Sequence, residues 1–267
     1  MSSTDVFLAG ADAYNNKFDA EQYLKDCYQL DQDVVGKDSK NWMVKWLTQI
    51  HKVFAKGNLK GKKLLELGAG PCIYATISAS KHYDEIVTSD YVKGNREQLT
   101  KWRNNDHDCF DWNPHIQIVC DLEGNGETAE ERAKTLRERI VDVAFCDALK
   151  DPMLPSRNGE KYDAIVAFGV VEEVAPDRNS WLQILACIVK YLNPGGVLLL
   201  GNSLGSTFYR RGASNNRAFA CYKTDRDEVI STLEILGTTI LYESMLDLPG
   251  DGYFNDRTDK MFVVAQK

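Results

Sequence analysis

The stretch from Lys63 to Pro71 most constrains how this chain folds, because a buried strand there ends at a turn of small residues. Gly68 and Gly70 in this E-x-G-x-G-P pattern permit positive φ angles and carry no Cβ atom that would block a ligand. Pro71 suits the first turn of a helix, where a missing N–H costs nothing. In a parallel α/β sheet, the crevice at the carboxyl end of such a strand is where a ligand touches the backbone. The stretch therefore predicts a parallel α/β sheet with a ligand site at this turn.

The turn departs from a dinucleotide-binding fingerprint at the position of its third glycine. Ile73 stands where a glycine would let the following helix pack close beneath a pyrophosphate. This departure disfavours a nicotinamide-dinucleotide oxidoreductase. It favours S-adenosylmethionine, which has no phosphate to bind.

Acidic residues close the next two predicted strands of the sheet. Asp90 ends the strand Glu85–Asp90 and lies 22 residues beyond Gly68, a spacing that places it to accept both ribose hydroxyls of an adenosine. Asp147 follows the strand Val141–Cys146 and is suited to accept from the adenine amine. A chance acid at a strand end is the alternative for Asp90.

The hydrophobic pattern predicts one domain over residues 1–267, with helices and strands alternating after an N-terminal segment. Residues 1–60 contain helices at Ala20–Tyr28 and Asn41–Ala55 and are a candidate lid over the crevice, although Trp46 and Phe54 fit better as cover for the sheet. Two substrate-side loops are expected at 203–222 and 247–260. Further predicted helices are Cys72–Lys81, Asn95 to about Trp102, Thr128–Ile140, Arg178–Tyr191 and one between the caps Thr224 and Gly237. Further predicted strands are Tyr162–Phe168, Val197–Leu200 after a turn at 193–196, Thr239–Leu246 and Met261–Ala265.

Charge and composition exclude several classes of partner. The net charge of −7 argues against nucleic acid and against an anionic membrane surface. No apolar run approaches the ~20 residues of a membrane span, and the first residues do not resemble a signal peptide. The seven cysteines are scattered and odd in number, which fits reduced thiols in the cytoplasm, and the four histidines show no metal-ligand spacing. We expect a cytoplasmic monomer without a metal.

Further motifs make the sequence resemble the family of nicotinamide, phenylethanolamine and indolethylamine N-methyltransferases, within the class I S-adenosylmethionine-dependent methyltransferases. The motifs are Tyr23-Leu24 with Tyr28, and residues 68–74, 88–91, 110–112, 120–124, 146–147, 175–177 and 193–196. The resemblance implies a Rossmann-like sheet of seven strands, mostly parallel with an antiparallel last strand, and N-terminal helices that close over the cofactor. It also implies that 114–122 belongs to an inserted helix, whereas the apolar pattern at Ile116–Cys120 alone does not decide between strand and helix.

The resemblance further implies a site for S-adenosylmethionine, which leaves as S-adenosylhomocysteine. Gly68 and Ala69 would meet the methionine end through their backbone, Asp90 the ribose, and Asp147 with Ala148 the adenine. The family often has a hydroxyl residue where Ala69 stands, so one side-chain hydrogen bond is missing here. The expected cofactor contacts are Tyr23, Tyr28, Gly68, Ala69, Gly70, Tyr74, Asp90, Tyr91, Asn95, Asp147, Ala148 and Phe168.

The same resemblance implies a substrate pocket and two catalytic residues, Glu172 and Tyr23. Glu172 stands where the phenylethanolamine enzyme has an acid near the substrate amine, and Asn202 stands where the nicotinamide enzyme has an aspartate facing the carboxamide. Ser206 and Tyr209 match a pocket serine and tyrosine. Tyr14 is either an aromatic wall of the pocket or an ordinary surface tyrosine.

These residues predict an enzyme, an N-methyltransferase that acts on a small molecule by in-line methyl transfer. Nicotinamide or a related pyridine is the first expected acceptor. Asn202 would still be able to hydrogen-bond an amide there, because its side chain both donates and accepts, but without the charge of an aspartate. The alternatives are an arylalkylamine, for which Glu172 would help free the nitrogen lone pair, and a non-catalytic cofactor-binding protein.

Overall fold

The computed structural model describes residues 6–8, 18–30, 41–57, 59–210, 217–252 and 254–267. Tyr14 and parts of the predicted lid and first substrate-side loop lie outside these ranges. In chain order the strands are β1 (Val6–Leu8), β2 (Gly61–Leu67), β3 (Tyr83–Asp90), β4 (Ile140–Phe145), β5 (Tyr162–Phe168), β6 (Leu192–Leu204), β7 (Phe208–Arg210), β8 (Arg217–Ala220), β9 (Thr239–Met245) and β10 (Asp259–Gln266). The helices are α1 (Ala20–Tyr28), α2 (Trp42–Lys56), α3 (Lys93–Asn104), α4 (Asn113–Glu123), α5 (Ala129–Arg139), α6 (Val171–Val174), α7 (Arg178–Tyr191) and α8 (Arg226–Ile235).

A seven-stranded sheet with the order β4-β3-β2-β5-β6-β10-β9 forms the centre of the molecule. The pairs among β4, β3, β2, β5 and β6 are parallel, and β10 runs antiparallel to both of its neighbours. The mostly parallel sheet with an antiparallel last strand is therefore confirmed. After β2 the chain builds outward through β3 and β4, and it then returns to the other side of β2 with β5. The strand order thus reverses at β2, and a ligand crevice opens at the carboxyl ends of strands at such a point.

Both faces of the sheet are buried, as the continuous apolar runs of its parallel strands require. Leu64 points to one face and Leu65 to the other, and neither is exposed to solvent. The first face is covered by α2, α4 and α5, and the second by α7 and α8.

The amphipathic stripe predicted for α2 is confirmed. Met43, Trp46, Leu47, Ile50 and Phe54 are each no more than 1% exposed. The Trp46 ring packs 5.1 Å from the ring of Phe168 and 5.6 Å from that of Phe262, measured between centroids. These side chains therefore cover the sheet instead of lining the crevice.

The prediction of a helix at Cys72–Lys81 is wrong. This segment consists of turns and a single 3-10 turn, Ala79–Lys81. The hydroxyls of Thr76 and Ser80 donate to the carbonyls of Ile73 and Ile77, three residues earlier, at 3.0 and 2.7 Å. Side-chain hydroxyls that compete in this way for backbone carbonyls disfavour a regular α-helix.

Several other boundaries differ from the prediction, among them those of β6 and α8. The strand predicted at 197–200 is β6, which runs from Leu192 to Leu204. It is longer because the turn predicted at 193–196 is an irregularity within the strand, with Gly195 at φ +78°. The N-cap of α8 is Asp225, whose carboxylate accepts from the Glu228 N–H at 2.9 Å, and not Thr224. The Thr224 hydroxyl instead accepts a hydrogen bond from Asn202.

The inserted segment between β3 and β4 is helical, as the resemblance implies. Helix α4 contains residues 114–122, and α5 begins at a capping box in which Thr128 and Glu131 exchange hydrogen bonds. The sequence did not predict the small sheet β1-β8-β7, in which the rings of Tyr209 and Phe219 stack 5.3 Å apart. None of the helices in the described ranges is long and apolar enough to cross a membrane.

Candidate functional site

The two glycines after β2 serve different purposes. Gly68 has φ +66°, and a Cβ atom there would lie 2.4 Å from Cγ2 of Val170, so this glycine lets the turn pack against the end of β5. Gly70 has φ +62°, and the nearest atom found around its missing Cβ is Sγ of Cys72 at 4.0 Å. The backbone at Gly70 is therefore accessible to a ligand, as a turn of this kind requires.

Asp90 links the glycine turn to the end of β3. Its Oδ2 accepts from the Gly70 N–H at 2.8 Å. Its Oδ1 accepts from the Val92 N–H at 2.8 Å and from the Asn95 amide at 2.9 Å. Burial raises the pKa of the Asp90 carboxyl, and the three hydrogen bonds oppose that increase. The carboxylate is thus held in place at the point where the sequence predicted a ribose contact.

Two acceptors at this point fit the two hydroxyls of a ribose. A carboxylate offers about four lone-pair sites, so Asp90, with three already occupied, has room for one more donor, at Oδ2. The Oδ1 atom of Asn95 is buried and accepts no hydrogen bond from the described part of the chain. Asp90 thus keeps one open acceptor site, and the neighbouring Asn95 offers a second.

The end of β4 lies beside Asp90, because the Cys146 N–H donates to the Asp90 carbonyl at 3.2 Å. Asp147 and Ala148 follow and are half-buried. The Asp147 carboxylate accepts from the Leu149 N–H at 3.0 Å, which fixes the turn. Tyr91 packs its ring 5.6 Å from that of Phe145. The residues predicted for the adenosine end thus lie at neighbouring strand ends.

Three tyrosines from the lid and the glycine turn form one aromatic cluster. The hydroxyls of Tyr23 and Tyr28 lie 3.4 Å apart, and the Tyr28 ring stacks on Tyr74 with centroids 5.7 Å apart. Burial is the first cause that raises the pKa of all three phenols, so they remain protonated donors at neutral pH. Helix α1 is therefore in contact with the turn that follows β2. Phe168, the remaining expected cofactor contact, is 9% exposed and packs mainly against Trp46 and Phe262.

Glu172 lies in α6, directly after β5, and its side chain is fully buried. Its Oε1 accepts from the Ser203 N–H at 2.7 Å, and its Oε2 has no hydrogen-bond partner within the described ranges. Burial raises the pKa of this carboxyl. A buried carboxyl oxygen without a partner is costly, so a donor from a ligand would find a prepared acceptor here.

The other predicted substrate residues lie on β6 and in the segment after it. The Nδ2 atom of Asn202 donates to the Thr224 hydroxyl at 2.6 Å, while its buried Oδ1 lacks a donor among the described residues. The Ser206 hydroxyl donates to the Phe208 carbonyl at 3.0 Å. Tyr209 is buried, its ring stacks on that of Phe219, and burial and then the charge of Glu173 raise its pKa.

Three charged residues near the site were not predicted as site residues. Glu66 is the penultimate residue of β2, next to the glycine turn, and burial, followed by the charge of Asp90, raises its pKa to about 8. Burial and the neighbouring Glu172 raise the pKa of Glu173 to about 8. Lys260 is a half-buried cation whose pKa is lowered by burial. Three features of the sequence could have indicated these residues: the acid Glu66 just before the glycines, the adjacent pair Glu172-Glu173, and the single lysine, Lys260, at the start of an apolar strand.

Comparison with known proteins gives one consistent result. The sequence profile of the NNMT/PNMT/TEMT family matches residues 5–267. Human nicotinamide N-methyltransferase is 29% identical over 257 residues, which is 96% of this chain and 95% of that protein. Mouse indolethylamine N-methyltransferase is 27% identical over 98% of this chain and 97% of its own length. Mouse phenylethanolamine N-methyltransferase is 34% identical over 77% of this chain and 70% of its own length.

A solved structure supports the fold independently. The magnesium protoporphyrin IX methyltransferase of Synechocystis PCC 6803, crystallised with S-adenosylhomocysteine, superposes with a TM-score of 0.54. The match covers 96% of this chain and 97% of that one at 13% identity. At this identity the comparison shows a shared architecture and nothing about the acceptor.

Proposed function

We propose that this chain, which belongs to the NNMT/PNMT/TEMT family, transfers the methyl group of S-adenosylmethionine to the nitrogen of a small amine. Membership in that family makes the chain an enzyme, an S-adenosylmethionine-dependent N-methyltransferase. The identity of the acceptor is the part that we propose. We propose that the acceptor binds in the crevice at the carboxyl ends of β2, β3 and β5.

The residues around the glycine turn fit the cofactor. Asp90 and Asn95 present one unused acceptor each for a ribose, and the Gly70 backbone is accessible. Asp147 and Ala148 would meet the adenine, and the tyrosine cluster of Tyr23, Tyr28 and Tyr74 would cover the methionine end. Bound there, the cofactor supplies an electrophilic methyl group on a sulfonium. The protein then needs chiefly to hold the acceptor nitrogen in line with that methyl group.

The unpartnered Oε2 of Glu172 is the observation that supports an amine. A protonated amine brings N–H donors and a positive charge to a buried carboxyl, and charge-assisted hydrogen bonds are about twice as strong as neutral ones. An alkylammonium ion must also lose a proton before its nitrogen can attack, and carboxylates serve as general bases. Methyl transfer leaves a cation on nitrogen, which carboxyls at this position stabilise.

Nicotinamide is a second candidate, supported by Asn202. The buried Oδ1 of this side chain has no donor in the described ranges, and a carboxamide N–H would supply one. A pyridine nitrogen needs no base. We favour the amine because an unsatisfied carboxyl gains more from a cation than an amide oxygen gains from a neutral N–H.

A methyl-transfer assay with radiolabelled cofactor tests the proposal over nicotinamide, phenylethanolamine, tryptamine and quinoline. We expect the arylalkylamines to have the highest kcat/KM. Turnover of nicotinamide or quinoline, but of no arylalkylamine, would show that the acceptor is a pyridine and not an amine. Binding of S-adenosylhomocysteine by calorimetry without turnover of any amine would contradict the proposed acceptor class.

A further inference from the structure

The carboxyl of Glu173 lies over the turn that joins β5 to α6. Gly169, in this turn, has φ +64°, and a Cβ atom there would lie 3.0 Å from Oε1 of Glu173. The Gly169 N–H donates to the Gly201 carbonyl at 2.9 Å, which anchors the turn to β6. The carboxyl thus lies at the carboxyl end of β5, the central strand of the sheet, where the chain is still hydrogen-bonded to β6.

Groups from several other elements lie within electrostatic range of this carboxyl. After burial, the negative charge of Glu173 is the largest influence that raises the pKa of Tyr209 and of Cys221. The same charge contributes, more weakly, to the raised pKa values of Tyr23 and Tyr74. The charge of Glu173 thus acts both on tyrosines expected at the cofactor and on the tyrosine expected at the substrate.

Glu172 is oriented differently, although it is adjacent in sequence. Its Oε1 binds the backbone N–H of Ser203, and its own carbonyl accepts from the Tyr222 N–H at 2.8 Å. Its side chain is not exposed at all, whereas that of Glu173 is half-buried. Glu173 is thus the more exposed of the two carboxyls, whereas Glu172 can offer a ligand only its unpartnered Oε2.

Lys260 completes the charged cluster from the antiparallel strand. It is paired in register with Ser203, and its ammonium nitrogen lies 4.9 Å from the centroid of the Trp46 ring. Burial and then Arg257 lower the pKa of Lys260, while Glu173 and Glu172 raise it. Lys260 and Arg257 in turn lower the pKa of Glu173, against the upward effects of burial and Glu172.

We propose that Glu173 is the carboxylate that removes the proton from the ammonium nitrogen of the acceptor, while Oε2 of Glu172 accepts another N–H of the same ion and Lys260 is a positioning residue. The inference rests on the proposed function, because only an alkylamine acceptor requires this proton transfer. Glu172 disfavours a second negative charge beside it, and this makes Glu173 a stronger base. Lys260 opposes that effect, so that part of Glu173 is ionised near neutral pH.

The step balances in atoms and electrons. A proton moves from the ammonium nitrogen to a carboxylate oxygen of Glu173, and the nitrogen lone pair is freed. That lone pair forms the bond to the methyl carbon while the carbon–sulfur bond breaks and its electron pair stays on sulfur. The methylated ammonium ion and S-adenosylhomocysteine leave, and Glu173 returns its proton to water.

The test compares Glu173→Gln, Glu172→Gln and Lys260→Met with the exposed control Glu130→Gln. The amine turned over best by the wild type is the acceptor, and kcat/KM is measured from about pH 6 to pH 10. We expect Glu173→Gln to lower kcat/KM about 100-fold at neutral pH, with a smaller loss near the pKa of the amine, where unprotonated acceptor is abundant. Glu172→Gln should move the acidic limb of the profile to lower pH, and Lys260→Met should move it to higher pH. The control should match the wild type.

The affinity for S-adenosylhomocysteine, measured by calorimetry, separates chemistry from folding and should be unchanged in every variant. A Glu173→Gln enzyme with the kcat/KM and pH profile of the wild type would overturn the inference and leave the proposed function intact. A loss confined to Glu172→Gln would also overturn it and assign the base to Glu172. A wild-type protein that binds S-adenosylhomocysteine but methylates no amine would overturn the proposed function itself, and this inference with it.

Discussion

Asp90 is the residue on which we expect cofactor binding to depend most. Its carboxylate accepts from three donors, which belong to the glycine turn, to Val92 just before α3 and to Asn95 in α3, and it retains room for one more. The strand end and the spacing from Gly68 predicted a carboxylate beside the glycine turn, and Asp90 accepts a hydrogen bond from the Gly70 N–H there. The contribution of Asn95 to the same pair of acceptors depends on a side-chain rotamer, which a sequence pattern does not specify.

Replacing Asp90 with alanine should raise the dissociation constant of S-adenosylhomocysteine at least ~10-fold, because a charge-assisted hydrogen bond is worth about 1.5–3 kcal/mol. Calorimetric titration measures this effect. Asp84→Ala is the matched control, since Asp84 lies on the same strand, is exposed and pairs with Arg139 on the surface. An unchanged constant for Asp90→Ala would place the ribose elsewhere.

Glu66 should make the folded state less stable as pH rises. Burial and Asp90 raise its pKa to about 8 from an ordinary value of 4.5, so between these values the folded chain holds a proton that the unfolded chain has lost. The free energy of unfolding therefore carries a contribution from Glu66 that is present below pH 4.5 and is lost as pH rises through about 8.

Glu66→Gln should remove that contribution. Urea denaturation at about pH 5.5 and pH 8.5 should show a smaller loss of stability with rising pH in the variant than in the wild type. Glu130→Gln, at an exposed position, should leave the difference unaltered. An equal pH dependence in Glu66→Gln and the wild type would show that this carboxyl is ionised in the folded protein.

At the scale of elements, the inserted helices α4 and α5 are held together by a buried ion network. Arg132 is fully buried and binds Glu123 at 2.6 Å and Glu127 at 2.8 Å. Lys81, from the 3-10 turn at Ala79–Lys81, also pairs with both carboxylates. The network thus connects the insertion to the segment after the glycine turn.

Arg132→Met should destabilise the fold by about 3 kcal/mol, because removing one partner of a buried ion pair leaves the other charges without compensation. Arg139→Met, which breaks an exposed pair with Asp84, should cost less than about 1 kcal/mol. Both values follow from urea denaturation at neutral pH. Equal costs for the two variants would show that the buried network contributes no more than a surface pair.

The elements that the sequence predicted well are those with strong local patterns. The apolar run of β5 and the periodicity of α1 and α7 gave their boundaries directly, because burial on the sheet selects these patterns. The prediction of a helix after Gly70 was wrong because hydrogen bonds from side-chain hydroxyls to backbone carbonyls outweighed helix propensity there. The small β1-β8-β7 sheet depends on pairing between distant segments, which short-range patterns do not encode.

At the scale of the whole molecule, the reversal of strand order at β2 places the ends of β2, β3, β4 and β5 around one crevice. The sequence predicted this through its glycine turn and its two strand-end acids, since parallel strands must share one orientation. The charge cluster of Glu172, Glu173 and Lys260 was only partly predictable. Glu173 and Lys260 are far apart in sequence, and only the register of β10 against β6 brings them together.

The most direct test of the account is a crystal structure of this protein grown with S-adenosylhomocysteine. We predict the ribose at Asp90 and Asn95, the adenine beside Asp147 and Ala148, and the sulfur end over the turn at Gly68 and Gly70, facing Glu173. Ligand density at any other part of the sheet, or Asp90 without a ligand contact in a fully occupied complex, would contradict the account.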